Sequence, residues 1–437
     1  RPLLDLLRAG VGSSKRRYPL RRLRKLPVAT SAGIRTQEEG VAWLPRLDTP
    51  VGVQWATEGV GSCPSQVAAR LQVWAISDTI RYFDEAMTKY SLCFLARTVR
   101  RAGFGPLRVT GLRRTHSPAF WSGLQRKYPE AFGGPPVQLQ GERGRFMLQR
   151  YPMLRYVMLL EAVESVPDDT VILVVDPLDV LLNAGPDAVA ATYCALQMDH
   201  HSLGMPAVAD ERLVLASERE CYPFQPDGTF NQMGGYGSDR MFEFGSLPGL
   251  QGRPVHGRRI CAEFRRTVSN RAFANGGGLL GRAAQVRSLL RGMIPWLERG
   301  EGPEAQALLY FALLDRAVAR HGAGVVIDSD ARVFTTLHGA DPQDVRDLIQ
   351  GPCGCKPQGA SAEGHHPATW PPVLHFNGNG KRVFSKCVSC MLPDGRPAHE
   401  ASESQPHAPG HTWLPEGCEI IDVDLAHSFH DSPDQKK

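Results

Sequence analysis

Apolar residues along this chain gather into short blocks with two different spacings. Val171-Ile172-Leu173-Val174-Val175 is unbroken, β-branched and preceded by Asp168-Asp169, which predicts a buried parallel strand. Leu71-Gln72-Val73-Trp74-Ala75-Ile76 and Leu107-Arg108-Val109-Thr110 are further strand candidates. Between them Ile80, Phe83, Met87, Leu95 and Val99 follow a loose helical spacing. Asp78 can cap that helix, Arg97, Arg100 and Arg101 suit the dipole of its last turn, and Gly103 can end it. Strand, helix and strand in this order predict a βαβ unit and a Rossmann-like α/β sheet. Met153 to Val163 reads as a helix leading into the apolar strand. Glu304 to Arg320 reads as an amphipathic helix stopped at Gly322, and Val325-Val326-Ile327-Asp328 as a short strand ending in a carboxylate.

The remaining regions lack such periodicity. Residues 1–68 read as a basic extension, 69–392 as the folded domain, and 393–437 as a tail rich in Pro, His and Ser that orders poorly. Gln225 to Gly257 is Gly-rich with few apolar repeats and reads as one long loop. No internal repeat is present.

Composition narrows the class. With 437 residues, 42% hydrophobic and 22% charged, the chain can bury a large core. No uncharged apolar run is long enough to span a bilayer. The chain begins at Arg1, not Met, so a leader or anchor upstream is compatible with it, and the lack of a visible targeting segment says little about location. The net charge of +5 is uneven: nine basic residues face the single acid Asp5 between Arg1 and Lys25. Such an arm suits an acidic surface or a solvated tail. It has no aromatic interleaving for base stacking and no nucleic-acid motif accompanies it, so no nucleic-acid partner is expected.

The strongest chemical signal is Asp176-Pro177-Leu178-Asp179, directly after the apolar strand. Open α/β sheets bind ligands at the carboxyl ends of their strands. Two carboxylates there suit Mg²⁺ or Mn²⁺, which would in turn neutralise a diphosphate. Asp and Pro are also ordinary turn residues, and the spacing alone leaves both readings open.

Five blocks in order then resemble the glycosyltransferase domain of the procollagen lysyl hydroxylases and related collagen-type glycosyltransferases. They are Val175-Asp176-Pro177-Leu178-Asp179-Val180 through Pro186; Leu215-Ala216-Ser217-Glu218 with Cys221-Tyr222-Pro223; Asn275-Gly276-Gly277-Gly278; Ile327-Asp328 through Ala340; and His375-Phe376-Asn377-Gly378-Asn379-Gly380-Lys381. The resemblance runs from about Leu71 to Lys386. It implies a GT-A fold, a Rossmann-like nucleotide-sugar sheet with helices on both faces. It also implies a metal-dependent transfer of a hexose from UDP-glucose or UDP-galactose to a protein or glycan hydroxyl, hydroxylysine among them.

By the same resemblance Asp176, Asp179 and His375 would bind the metal, the imidazole favouring Mn²⁺ over Mg²⁺. Val73, Trp74, Arg155, Asn377, Gly378 and Lys381 would meet the donor, Lys381 as a point charge on the diphosphate. Asn275, Gly276, Gly277, Gln306 and Asp328 would line the sugar and acceptor pocket. Taken without the resemblance, Trp74 reads equally as core, His375 as a strand-end histidine, Lys381 as a solvated lysine and the glycines as turns.

Two departures matter. An acidic block of the family is Glu304-Ala305-Gln306 here, leaving Glu304 as the candidate catalytic acid or base, or simply a helix-N-terminal Glu. Phe376 replaces a glycine and could crowd the phosphate loop. These changes keep a second class open, a catalytically impaired GT-A-like binding module.

The ten cysteines add a separate question. Cys353 with Cys355 and Cys387 with Cys390 could bind zinc or form disulfides, while Cys63, Cys93, Cys194, Cys221, Cys261 and Cys418 show no metal spacing. The family's secretory setting favours disulfides and the lumen of the endoplasmic reticulum or Golgi, although no Asn-x-Ser/Thr sequon is present.

Overall fold

The computed structural model describes residues 63–77, 85–111, 118–129, 154–201, 212–222, 242–243, 254–255, 260–261, 273–298, 305–314, 324–338, 371–381, 384 and 418–424. The expected βαβ unit is present. Strand β1 (Leu71–Ile76), helix α2 (Glu85–Arg101) and strand β2 (Leu107–Thr110) follow helix α1 (Cys63–Arg70), and β1 and β2 pair in parallel. Gly103 ends α2 with φ +85°, and its N–H donates to the Arg100 carbonyl at 2.9 Å. A glycine tolerates that left-handed conformation without a Cβ penalty. Asp78, Ile80 and Phe83 lie outside the described residues.

The apolar strand is β3 (Val171–Val175), buried at every position and preceded by helices α3 (Pro118–Lys127) and α4 (Leu154–Val163). After β3 come β4 (Val180–Leu182), α5 (Pro186–His201), β5 (Leu213–Glu218), the two-residue strands β6 (Phe242–Glu243) and β7 (Pro254–Val255), β8 (Phe273–Arg282), α6 (Ala283–Glu298) and α7 (Ala305–Leu314). Strands β9 (Val325–Ile327), β10 (Phe334–Thr336), β11 (Val373–His375) and β12 (Ile420–Asp422) complete the order.

The main sheet has seven strands in the order β12-β2-β1-β3-β8-β5-β9. It is a mixed sheet in which β8 alone runs against its neighbours β3 and β5; the other pairings are parallel. The carboxyl ends of β3 and β5 therefore share an edge with the start of β8. Side chains alternate between two apolar layers. Trp74, Ile76, Ile172 and Val174 join Trp296, Phe311 and the other buried residues of α4, α6 and α7. Val73, Ala75, Leu173 and Val175 join residues of α2 and α5 such as Leu92, Val99, Val189 and Tyr193. Helices thus cover both faces, as expected for a Rossmann-like sheet. A second sheet, β10-β11-β4, sits where the chain leaves β3.

Three sequence expectations change. Helix α1 lies within the stretch read as an extension, yet it buries Val67 and is bonded through Cys63 to Cys194 of α5. The segment 418–424, read as a poorly ordered tail, adds an edge strand parallel to β2 and is bonded through Cys418 to Cys93 of α2. Helix α7 was expected to be amphipathic, but every residue from Ala305 to Ala312 is buried. Its apolar residues face more than one side because it packs between the sheet and α6 rather than on the surface. The long Gly-rich loop contains the short β6–β7 pair. Among the described residues no helix is long and apolar enough to cross a membrane.

Candidate metal centre

Strand β3 stops at Asp176 because the chain turns there. The Asp176 Oδ1 accepts a hydrogen bond from the Leu178 N–H at 3.1 Å, across Pro177. The turn reading of this motif is therefore correct for one carboxylate oxygen, and it delivers Asp179 directly to the head of β4. There the antiparallel pairing of β4 with β11 sets His375 opposite Val180, and the Phe376 N–H donates to the Asp179 carbonyl at 2.7 Å. As a result His375 Nε2 is 3.2 Å from Asp179 Oδ1.

One ligand atom each from Asp176, Asp179 and His375 lies within 4.8 Å of the others. Two carboxylates and an imidazole so disposed could hold a metal ion. Two further observations fit that use. Asp179 Oδ2 and His375 Nδ1 are buried without a hydrogen-bond partner, and the half-exposed Lys381 ammonium lies 3.5 Å from that oxygen.

The electrostatics are those of a preformed anionic cradle. Burial alone would raise Asp179, but the His375 and Lys381 charges outweigh it and hold the carboxyl at about 2. Burial would lower His375, yet Asp179 and, less strongly, Asp176 raise it above the ordinary histidine value against the opposing Lys381. When protonated, His375 balances Asp179; a bound cation would replace that proton.

The wall beside this triad comes from β8. Between β5 and β8 the register slips from Leu215–Leu279 to Ala216–Asn275, so Gly276, Gly277 and Gly278 bulge away from β5. The Gly277 carbonyl accepts the Asp176 N–H at 3.0 Å. A Cβ on Gly277 would lie 2.3 Å from His375 Cε1, and one on Gly276 would lie 2.4 Å from the Tyr156 hydroxyl. Only bare backbone fits there. Arg155 closes the same corner: its Nη2 donates to the Gly276 carbonyl at 2.7 Å, and Nη1 is 3.9 Å from Asp176 Oδ2.

Behind the wall is a residue that the sequence reading placed in a motif but gave no role. Glu218, at the end of β5, is 1% exposed. Its carboxylate accepts from Asn275 Nδ2 at 3.0 Å, from Asn377 Nδ2 at 3.2 Å and from Gln306 Nε2 by a short contact. His338 Nδ1 is 3.2 Å away. Gln306 Nε2 also meets the Tyr222 carbonyl at 3.0 Å. Asn275 Oδ1 in turn accepts the Gly277 N–H at 2.8 Å, and Asn377 Oδ1 accepts the N–H groups of Leu337 and His338, each at 2.9 Å. Glu218 thus ties the glycine wall, α7 and the loop after His375 to one buried charge. The polar pair Ser217-Glu218 at the end of a buried strand was the available signal for it.

Several expected site residues act otherwise. Val73 and Trp74 are each 1% exposed and lie in opposite apolar layers; a strand covered on both faces leaves neither side chain for a nucleotide. Trp74 Nε1 donates to Gln72 at 3.2 Å. Asp328 accepts the N–H groups of Arg332, Val333 and Phe334 and clamps the turn into β10. Asn377 and Gln306 spend their amides on the Glu218 network. Phe376 does not crowd the loop: its ring is buried, 5.4 Å from that of Phe384. Gly378 has φ +57° and begins a single 3-10 turn, Gly378–Gly380, that leads to Lys381. Glu304, Cys353, Cys355, Cys387 and Cys390 lie outside the described residues.

The described cysteines all form disulfides: Cys63–Cys194, Cys93–Cys418 and Cys221–Cys261. The third fixes the chain just past Glu218. No protein-family model matches this chain, and comparison with curated proteins finds no match.

Proposed function

We propose that this chain is a metal-dependent glycosyltransferase of GT-A type, moving a hexose from UDP-glucose or UDP-galactose to a hydroxyl acceptor on a protein or glycan, hydroxylysine-type acceptors included. One observation carries the reading: the neighbouring Asp176 and Asp179 and the sequence-distant His375 converge at the carboxyl edge of a mostly parallel sheet. The resemblance to collagen-type glycosyltransferases assigns its metal to those three residues.

Asp176, Asp179 and His375 would hold Mn²⁺, the imidazole favouring it over Mg²⁺. A divalent ion there would cancel charge on the leaving diphosphate. Lys381, already beside Asp179, would supply a further positive charge on that side. The bare Gly276-Gly277 backbone lets a sugar approach the triad closely, and Arg155 holds that backbone in place. With the donor fixed, transfer requires an acceptor oxygen oriented toward the anomeric carbon. Glu304 is our candidate for taking its proton. The three disulfides support an oxidising compartment such as the lumen of the endoplasmic reticulum or Golgi.

A second reading is a GT-A-like module that binds without turning over. It is favoured by Ala305, which is buried at the head of α7 and supplies no acid. The two separate in one assay. Incubation with UDP-glucose or UDP-galactose and Mn²⁺ should release UDP by transfer or slow hydrolysis, and chelation should stop it. Metal-dependent binding without any UDP release would support the module. Neither binding nor release would overturn both.

A further inference from the structure

We propose that His338 is a positioning residue that works as an imidazolium, bracing the turn that carries Lys381 against the end of β5. His338 follows β10, and both of its ring nitrogens face carboxylates. Nδ1 is 3.2 Å from Glu218 Oε2 and Nε2 is 3.3 Å from Glu220 Oε2. A neutral imidazole carries one N–H and can donate to only one of them; the imidazolium donates to both. The ring also meets the Tyr222 ring edge-on at a centroid distance of 5.7 Å.

The opposite side of the ring lies on the loop after His375. A Cβ on Gly378 would be 2.5 Å from His338 Cδ2, so the ring rests directly on that glycine. Gly378 opens the turn that ends at Lys381, whose ammonium reaches Asp179. The backbone N–H of His338 is itself held by Asn377. The ring therefore stands between the Glu218–Tyr222 segment, fixed by the Cys221–Cys261 disulfide, and the turn bearing Lys381.

The two contacts differ in strength. Glu218 is buried and already held by three amides, whereas Glu220 is 62% exposed. On losing its proton the ring keeps Glu218 and releases Glu220, and the local charge becomes more negative by one. Both changes disfavour an anion beside the turn. Among the described residues, the titratable groups facing His338 are Glu218, Glu220 and Tyr222. The Glu218 hydrogen bond raises His338 above the ordinary histidine value, against the opposing effect of burial, with the charges of both acids adding to it.

The test needs no ligand in its first arm. Histidine and glycine amide resonances of the full chain are followed by NMR across pH 5 to 9. The Gly378 and Gly380 amides should shift with the His338 ring at one midpoint. In Glu220→Gln, an exposed change that should not disturb folding, that shared midpoint should move to lower pH. In His338→Asn, where an amide replaces Nδ1 as donor, the amide titration should vanish. Gly378 and Gly380 amides that ignore pH, or a midpoint unmoved in Glu220→Gln, would overturn the proposal. The second arm rests on the donor reading above. UDP affinity with Mn²⁺, taken relative to His338→Asn at each pH, should fall severalfold as His338 deprotonates, and a constant ratio would count against the brace. If UDP does not bind the unaltered protein at any pH, the donor reading fails while the first arm still decides this one.

Discussion

His375 Nε2 lies 3.2 Å from Asp179 Oδ1, and both groups are buried. Two strands from distant parts of the sequence, β4 and β11, are paired so that this contact is obligatory. In a protein interior such a pair needs a further partner for its remaining oxygen and nitrogen. A divalent cation would meet that need at the free carboxylate oxygen.

Asp179→Asn removes one anionic ligand while preserving shape. The account expects a folded protein whose Mn²⁺ affinity falls by at least about tenfold, roughly 1.4 kcal/mol, with UDP-sugar turnover lost. Titration calorimetry with Mn²⁺ and a UDP-release assay check it. Turnover that persists in the variant when a chelator is present would remove the metal from the mechanism.

Gly277→Ala tests the geometry of the wall. Its Cβ would sit 2.3 Å from the buried His375 ring, which has nowhere to retreat. Overpacking of this kind costs about 1–3 kcal/mol. Thermal unfolding should register that loss, and Mn²⁺ affinity should drop more than it does for Ala at the exposed Gly105, where nothing lies within 4 Å. Equal effects at the two glycines would contradict the close approach.

The ion pair also fixes a pH dependence for the metal-free protein. Asp179 is lowered from 3.8 to about 2 when folded, so its contribution is present above pH 3.8 and is lost as pH falls toward 2. His375 is raised when folded, so its contribution is present below 6.5 and is lost as pH rises through the higher folded value. The stability difference between the native chain and Asp179→Asn should therefore be largest between about pH 4 and 6.5. Metal binding must displace the His375 proton, so Mn²⁺ affinity should rise with pH across that same histidine titration. Chemical denaturation and Mn²⁺ calorimetry across pH 3 to 8 give both curves.

The disulfide Cys93–Cys418 ties the edge strand β12 to α2. A paired Cys93→Ser and Cys418→Ser change should lower stability by roughly 2–4 kcal/mol and leave Asp424 less firmly held to Gly111, whose N–H it accepts at 2.8 Å. Peptide mapping of unreduced protein should recover all three pairs. Recovery of Cys418 as a free thiol would contradict the docking of β12.

Much of the scaffold was legible because its signals are local. The run Val171–Val175, the block Leu71–Ile76 and the helix ended by Gly103 each carry their own pattern. Asp176 and Asp179 could be named because carboxylates after a buried strand are chemically conspicuous, whereas His375 is named only through the resemblance. The rest was less legible for one physical reason: a side chain's role depends on partners that sequence does not order. Val73 and Trp74 lie in the middle of a strand covered on both faces, where continuous apolarity hides which position meets a ligand. Asn377 is a donor-binding candidate and Gln306 and Asp328 are pocket candidates, and a buried amide or carboxylate bonded to its own fold looks the same in sequence. Glu218 went unassigned because its importance lies in four partners from four other regions. Disulfides between Cys63 and Cys194 or Cys93 and Cys418 close loops too long for spacing to reveal, and β12 is only three residues.

The central claim is that one cradle holds a metal and, through it, a nucleoside diphosphate. Calorimetry of UDP with and without Mn²⁺ tests this most directly, with Asp179→Asn as the control. The account predicts that Mn²⁺ strengthens UDP binding by a coupling of roughly 1–3 kcal/mol, that UDP tightens Mn²⁺ by the same factor, and that the coupling disappears in Asp179→Asn. UDP affinity that is identical with and without Mn²⁺, or a coupling that survives in Asp179→Asn, would contradict it.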